Sequence, residues 1–277
     1  MRVLLTGACG RVGTAVVNHL HDSFDFRYFD RQEHPTHQTH IGDVADYPSL
    51  AQAFEDVDHL VHLAAASKVD SPWSTVLQSN IIGGYNALEA ARRNQVERVV
   101  FASTNHVMGT YEREHSPALY EPDYDLVLDR DDPMRPDSHY ASSKAFNEAQ
   151  ARYYVEHHEY PKRVYILRIG SVRGPDEDHP YADAERGVRR GGWERDSERY
   201  RREVKRMKAT WQSRRDVAAM IAACLENETV TYDVFYGVSD NDRRWFDIEH
   251  ARSVLGYDPQ DNGEDWNEPP NVRGDEI

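Results

Sequence analysis

The chain has 277 residues, length enough for one large or two small domains with a sizeable core, and it carries no apolar run of membrane length. A formal charge of −15 and a mean hydropathy of −0.80 argue against nucleic acid or a membrane as partner. The two cysteines, Cys9 and Cys224, suggest no disulfide, and no cationic, apolar leader opens the chain, so a reducing, cytoplasmic setting is expected.

Taken in chain order, Met1–Thr6 reads as a short buried strand, and glycines follow at once at Gly7, Gly10 and Gly13. Val12, Val16, Val17 and Leu20 then repeat at helical spacing, which makes the segment strand, turn, helix. Gly7 permits the tight turn, Gly10 lets backbone approach a pyrophosphate, and Gly13 lets helix pack on strand. Arg11 and Val12 lie in the same turn, where the positive helix N-terminus would meet the phosphates. The run Phe24–Phe29 ends in Asp30, whose carboxylate can accept both ribose hydroxyls of NAD and would repel a 2'-phosphate. Arg31 beside it pulls the other way, so NAD is expected and NADP stays open.

His34, His37 and His40 recur every third residue, but in a polar connector with Pro35 and without a completing carboxylate or thiol, so no metal is expected. Ile41–Val44 precedes a helix over Tyr47–Phe54, and His59–Ala65 reads as a strand. A helix over Ile81–Asn94, a strand over Val99–Ser103, a helix over Ser142–His157 and a strand over Arg163–Ile169 continue the alternation. The pattern predicts the α/β class, with a parallel sheet covered on both faces and ligands at the carboxyl ends of its strands. Residues 1–170 would form the dinucleotide-binding domain, 171–267 a small substrate-binding lobe interleaved with it, and 268–277 a flexible tail.

Tyr140 and Lys144 are the most telling pair, because positions i and i+4 share one helix face and an ammonium there can help a phenol lose its proton. Beside a dinucleotide site they point to redox chemistry at an alcohol carbon. A phenol of pKa near 10 has to fall to roughly 7 for this, about 4 kcal/mol of differential stabilisation, which Lys144 and a cationic nicotinamide are expected to supply.

Two compositional biases stand out. Lys68, Lys144, Lys162, Lys205 and Lys208 are the only lysines among the 33 basic residues, and an acidic, lysine-poor surface resembles that of proteins from salt-loving organisms. Between Tyr181 and Lys208 the basic residues outnumber the acidic ones, the reverse of the whole chain. That stretch reads either as an anion site, through Arg206 or Lys208, or as a solvated helix laced with ion pairs.

The segments Thr6–Gly13, Asp43-Val44, His62–Ala65, Asn80–Gly83, Phe101–Thr104 and Tyr140–Lys144 together resemble the extended short-chain dehydrogenase/reductase superfamily, over nearly the whole chain. The resemblance implies a Rossmann-type doubly wound sheet and assigns Asp43, Val44, Leu63, Ala64, Ala65, Asn80 and Ile169, with Tyr140 and Lys144, to the cofactor. It also implies that Thr104 holds the substrate alcohol against Tyr140. A narrower resemblance, to uronate dehydrogenases and the sugar dehydrogenases of haloarchaea, rests on Asn80–Asn86, Ala102–His106, Arg168–Ser171, Met207–Trp211 and Gly237–Phe246. It implies that Ser67, Asn105, His106, Ser171 and Arg206 face a sugar.

The expected reaction is oxidation of the anomeric carbon of a free aldose, L-arabinose among them, to its lactone. Uronate and glucose 6-phosphate are the related substrates. A sugar-nucleotide epimerase or dehydratase retaining NAD and a non-catalytic NAD-binding sensor are the alternatives from other classes. The family also implies a homo-oligomer, a dimer or tetramer, packed through the helices Ile81–Asn94 and Ser142–His157.

Overall fold

The computed structural model describes residues 1–270. Seven strands form one all-parallel sheet: β1 (Arg2–Thr6), β2 (Asp25–Asp30), β3 (Thr39–Ile41), β4 (His59–His62), β5 (Arg98–Thr104), β6 (Arg163–Ile169) and β7 (Tyr232–Gly237), in the spatial order 3-2-1-4-5-6-7. The order reverses at β1, so a crevice opens between β1 and β4 at their carboxyl ends, where a doubly wound sheet binds ligands. The helices are α1 (Arg11–Leu20), α2 (Tyr47–Gln52), α3 (Trp73–Val76), α4 (Gly83–Arg93), α5 (Gly109–His115), α6 (His139–His157), α7 (Ala182–Arg189), α8 (Glu198–Thr210), α9 (Arg214–Glu226) and α10 (Glu249–Leu255).

The period of two along each strand sorts side chains into two cores. On one face Val3, Leu5, Val100 and Leu167 pack against Val16, Val17 and Leu20 of α1 and Val217, Ile221 and Leu225 of α9. On the other, Leu4, Leu60, Phe101 and Ile166 meet Leu50 of α2, Leu88 of α4 and Ala151 of α6. At roughly 1.5–3 kcal/mol per buried large apolar side chain, these two layers dominate the stability of the molecule. Beyond the strand ends lies a third cluster, with Met108, Leu128, Tyr236, Trp245 and Phe246. A small fourth one joins α7 to α8 through Tyr181, Ala184, Tyr200 and Val204.

Several elements depart from expectation. The Tyr140 helix starts at His139 rather than Ser142, because Ser138 accepts a hydrogen bond from the Ala141 N–H at 3.1 Å and caps it. Strand β4 stops at His62, so Leu63–Ala65 leave the sheet and turn toward the crevice. The helix expected from Ile81 begins earlier: α3 passes into a π-helical stretch at Leu77–Ile82 before α4. Strand β7 and helix α9 carry much of the chain after residue 171 into the central layers, where β7 pairs with β6. Of the expected tail, residues 271–277 lie outside the described residues.

Candidate active site

A cleft of about 740 Å³ runs along the carboxyl ends of the strands. Its nucleotide end is built by backbone. Gly7 sits at φ +75°, a left-handed conformation that side chains disfavour, and a Cβ there would stand 2.7 Å from the Ala64 nitrogen. A Cβ on Gly13 would lie 2.1 Å from the Gly7 carbonyl oxygen, so α1 can approach β1 only as glycine allows. The N-terminus of α1 has no side-chain cap and no acidic residue in its first turn, leaving its N–H groups for an anion. Arg214 at the start of α9 donates to the Arg11 carbonyl at 3.0 Å and braces the loop from behind.

Asp30 ends β2 and is tied to this loop: one carboxylate oxygen accepts from the Cys9 N–H at 2.9 Å, the other from Gln32 N–H at 3.2 Å. A carboxylate has further lone pairs, so ribose hydroxyls can still be taken. Arg31 is exposed at its side. Asp43 and Val44 line the cleft beyond, held by Asn86 of α4, which donates to the Val44 and Ala45 carbonyls at 2.9 and 3.1 Å. Uncapped helix, glycine cradle and terminal carboxylate together fit a dinucleotide, with Arg11, Val12, Leu63, Ala64, Ala65 and Ile169 along the same wall.

Asn80 is the exception among the expected cofactor residues. It lies behind the cleft wall, buried, where its amide pins Ala66 through both backbone groups at 2.8 and 3.2 Å and donates to Ser143 at 2.9 Å. Its short polar side chain joins the Leu63–Ala66 wall to α6 instead of lining it.

At the other end Thr104, the last residue of β5, Tyr140 and Lys144 line one stretch of the cleft. Tyr140 is buried, and burial raises its hydroxyl above the usual phenol value, opposed by the neighbouring Thr104 hydroxyl and reinforced by the Asp137 charge. The lowering expected from sequence needs the cationic nicotinamide as well as Lys144. The Lys144 ammonium donates to the Ala102 carbonyl at 2.7 Å and lies 5.5 Å from the centre of the Phe101 ring. Burial lowers its pKa to about 8, and the Glu148 charge pulls it back up in part. Glu148 is itself buried against Arg168 at 3.0 Å, which explains the place of that arginine in the sequence pattern.

Asn105 is buried and its amide oxygen accepts from the Thr104 hydroxyl at 3.4 Å. His106 places Nδ1 2.8 Å from Asp137 and its ring edge-on to Tyr140 at 6.3 Å. Ser171 lines the cleft with its hydroxyl 2.9 Å from that of Thr210, and Ser67 stands exposed on the loop after β4. Arg206 reaches the same cavity from α8, yet its guanidinium is already bound by Glu112 at 2.6 and 3.3 Å. Glu112, Asp137 and Arg173 escaped sequence reasoning. Asp137 had a local signal, standing one residue before the α6 cap, whereas Glu112 and Arg173 are brought in only by the fold.

The basic stretch resolves into inter-element ion pairs: Arg186 and Arg189 meet Glu177, Arg195 meets Glu185, Lys205 meets Glu121 and Lys208 meets Glu264. The histidines of the polar connector pack on aromatic rings: His34 and His37 lie 6.0 and 5.1 Å from Tyr28 and 5.1 Å from each other, and His40 stacks on Phe29. Among the described residues no helix is long and apolar enough to cross a membrane.

A parallel doubly wound sheet with a glycine cradle at its switch point and a Thr-Tyr-Lys group at the next strand end defines a dinucleotide-dependent oxidoreductase. The profile of the NAD-dependent epimerase/dehydratase family matches residues 3–248. The NAD-dependent glucose-6-phosphate dehydrogenase of Haloferax volcanii is 35% identical over 95% of both chains, and the L-arabinose 1-dehydrogenase (NAD(P)+) of the same organism is 34% identical over 94% of this chain and 97% of its own. Among solved structures, the glucuronic acid dehydrogenase of Chromohalobacter salexigens superposes with a TM-score of 0.76 at 32% identity, covering 100% of this chain and 90% of that one. The chain belongs to the NAD-dependent epimerase/dehydratase family, in its branch of NAD-dependent sugar dehydrogenases. It is an oxidoreductase acting on a CH–OH group.

Proposed function

We propose that the protein oxidises the anomeric carbon of a free aldose, a pentose or hexose, to the lactone. The observation that carries this reading is the meeting of Thr104, Tyr140 and Lys144 in the same cleft as the glycine cradle and Asp30. NAD, when bound, supplies the hydride acceptor for the anomeric carbon. Tyr140, ionised, takes the proton of the anomeric hydroxyl, while Thr104 holds that hydroxyl in line. Lys144, charged below about pH 8, stabilises negative charge along this wall. Ser67, Asn105, His106 and Ser171 position the ring, and positioning supplies much of the rate. The haloarchaeal and uronate relatives act on sugars by name, which supports the substrate class.

The test is a panel of free aldoses, L-arabinose first, with NAD and NADP in molar salt, read as absorbance of reduced nicotinamide. Tyr140→Phe is expected to lower kcat by about 10³-fold, within the range of acid–base losses, with NAD still bound. Turnover at the parental rate in that variant would exclude the mechanism. A homodimer through α4 and α6 accompanies this reading, since Tyr85, Phe146 and Tyr153 on those helices expose 45%, 43% and 52% of their surface. Phe146→Asp with Tyr153→Asp should leave a monomer in sedimentation.

A further inference from the structure

We infer that Glu112 sets the substrate class of the cleft: by cancelling the Arg206 charge it selects a sugar that is neutral at the end remote from the reacting carbon. This rests on the dehydrogenase reading above. Arg206 is the cation of the sugar-side wall best placed to meet a substrate carboxylate or phosphate, being 22% exposed there. Glu112 of α5 holds it through Nε and one terminal nitrogen, and Glu112 in turn accepts from the Tyr120 hydroxyl at 2.8 Å. Burial pushes the Glu112 carboxyl up, but the Arg206 charge and hydrogen bond overcome it and keep the carboxylate ionised.

An anion arriving at the remaining N–H groups of Arg206 would therefore lie within one side-chain width of a buried negative charge, and attraction and repulsion nearly cancel. A neutral hydroxyl loses nothing by this, because the guanidinium keeps free donors in a fixed plane. The neighbouring Arg173 is answered in the same way by Asp183, and the His106 ring is held by Asp137 at 2.8 Å. Lys68 lines the rim but is exposed, and a solvated ammonium discriminates weakly.

The experiment compares kcat/KM of the wild type for L-arabinose, D-glucose, D-glucuronate and D-glucose 6-phosphate, then repeats it with Glu112→Gln. The wild type should favour a neutral sugar, and Glu112→Gln should raise the ratio of anionic to neutral kcat/KM by about tenfold or more, as an unpaired cation would. Should Glu112→Gln not fold, Arg206→Met decides: the inference requires a loss shared by neutral and anionic sugars, and a loss confined to the anions overturns it. Preference of the wild type for glucuronate or glucose 6-phosphate also overturns it while leaving the dehydrogenase reading intact. Absence of reduced nicotinamide with every sugar sinks that reading, and this inference with it.

Discussion

Burial sets the protonation chemistry of single side chains here. With the phenol of Tyr140 pushed up and the Lys144 ammonium lowered to about 8, the acid limb of the pH–rate profile should lie above neutrality for the reaction proposed. Lys144→Met removes a positive charge that favours phenolate, so the limb should move further to alkaline pH and kcat should fall; a profile of kcat/KM against pH reads both. His62 gives a stability counterpart. Its ring is buried, 2.9 Å from the Thr6 hydroxyl, and burial with the Lys144 charge lowers its pKa to about 3. An unfolded histidine takes a proton below about 6.5, so the stabilisation is complete above that pH and drains as pH falls toward 3. His62→Gln should flatten the urea-midpoint dependence between pH 6.5 and 4.

At the scale of elements, the glycine loop and the ends of the helices carry the site. Gly13→Ala forces a methyl into the Gly7 and Ala8 carbonyls, so NAD affinity should collapse, which a titration of NADH fluorescence would register. Arg98, at the start of β5, donates to the carbonyls of Leu225 and Asn227 and thereby closes the C-terminus of α9. Removing it strands the buried Leu225 carbonyl, while the Asn227 carbonyl keeps the Tyr165 hydroxyl at 2.7 Å, and Arg98→Ala should cost about 2 kcal/mol in a denaturant titration. The glycine spacing and the apolar periodicity made β1, α1 and the alternation legible from sequence, since those signals are local. Strand β7 was not legible, because half of its residues are only partly buried and Asp233 interrupts its apolar run. The π-helical stretch leaves no pattern either, since one wide turn shifts the register of a helix without changing its composition. Glu112 escaped because its partner stands 94 residues away on α8.

For the whole molecule, the excess of 48 acidic over 33 basic residues matters more than any one ion pair. Exposed pairs such as Arg152–Glu156 are worth little and weaken in salt, whereas self-repulsion among the unmatched carboxylates is also screened once the Debye length falls to about 3 Å in molar salt. Relief of repulsion should win, and Tm should rise between 0.1 M and 2 M NaCl by roughly 2–4 °C for each kcal/mol regained. A thermal scan in both buffers checks the sign. Composition alone carried this reading, while the pairing of the basic stretch from Tyr181 to Lys208 with Glu177, Glu121 and Glu264 needed the fold.

Helix α9 lies along α1, with Val217, Ile221 and Leu225 covering the flank of Val16 and Val17, and its first arginine braces the phosphate loop. The nucleotide-binding unit of β1 and α1 is thus born with one side bare, and it stays so until roughly two hundred further residues have been translated. Maturation of the cofactor pocket has to wait for α9, and a product cut before it would be sticky rather than half-active.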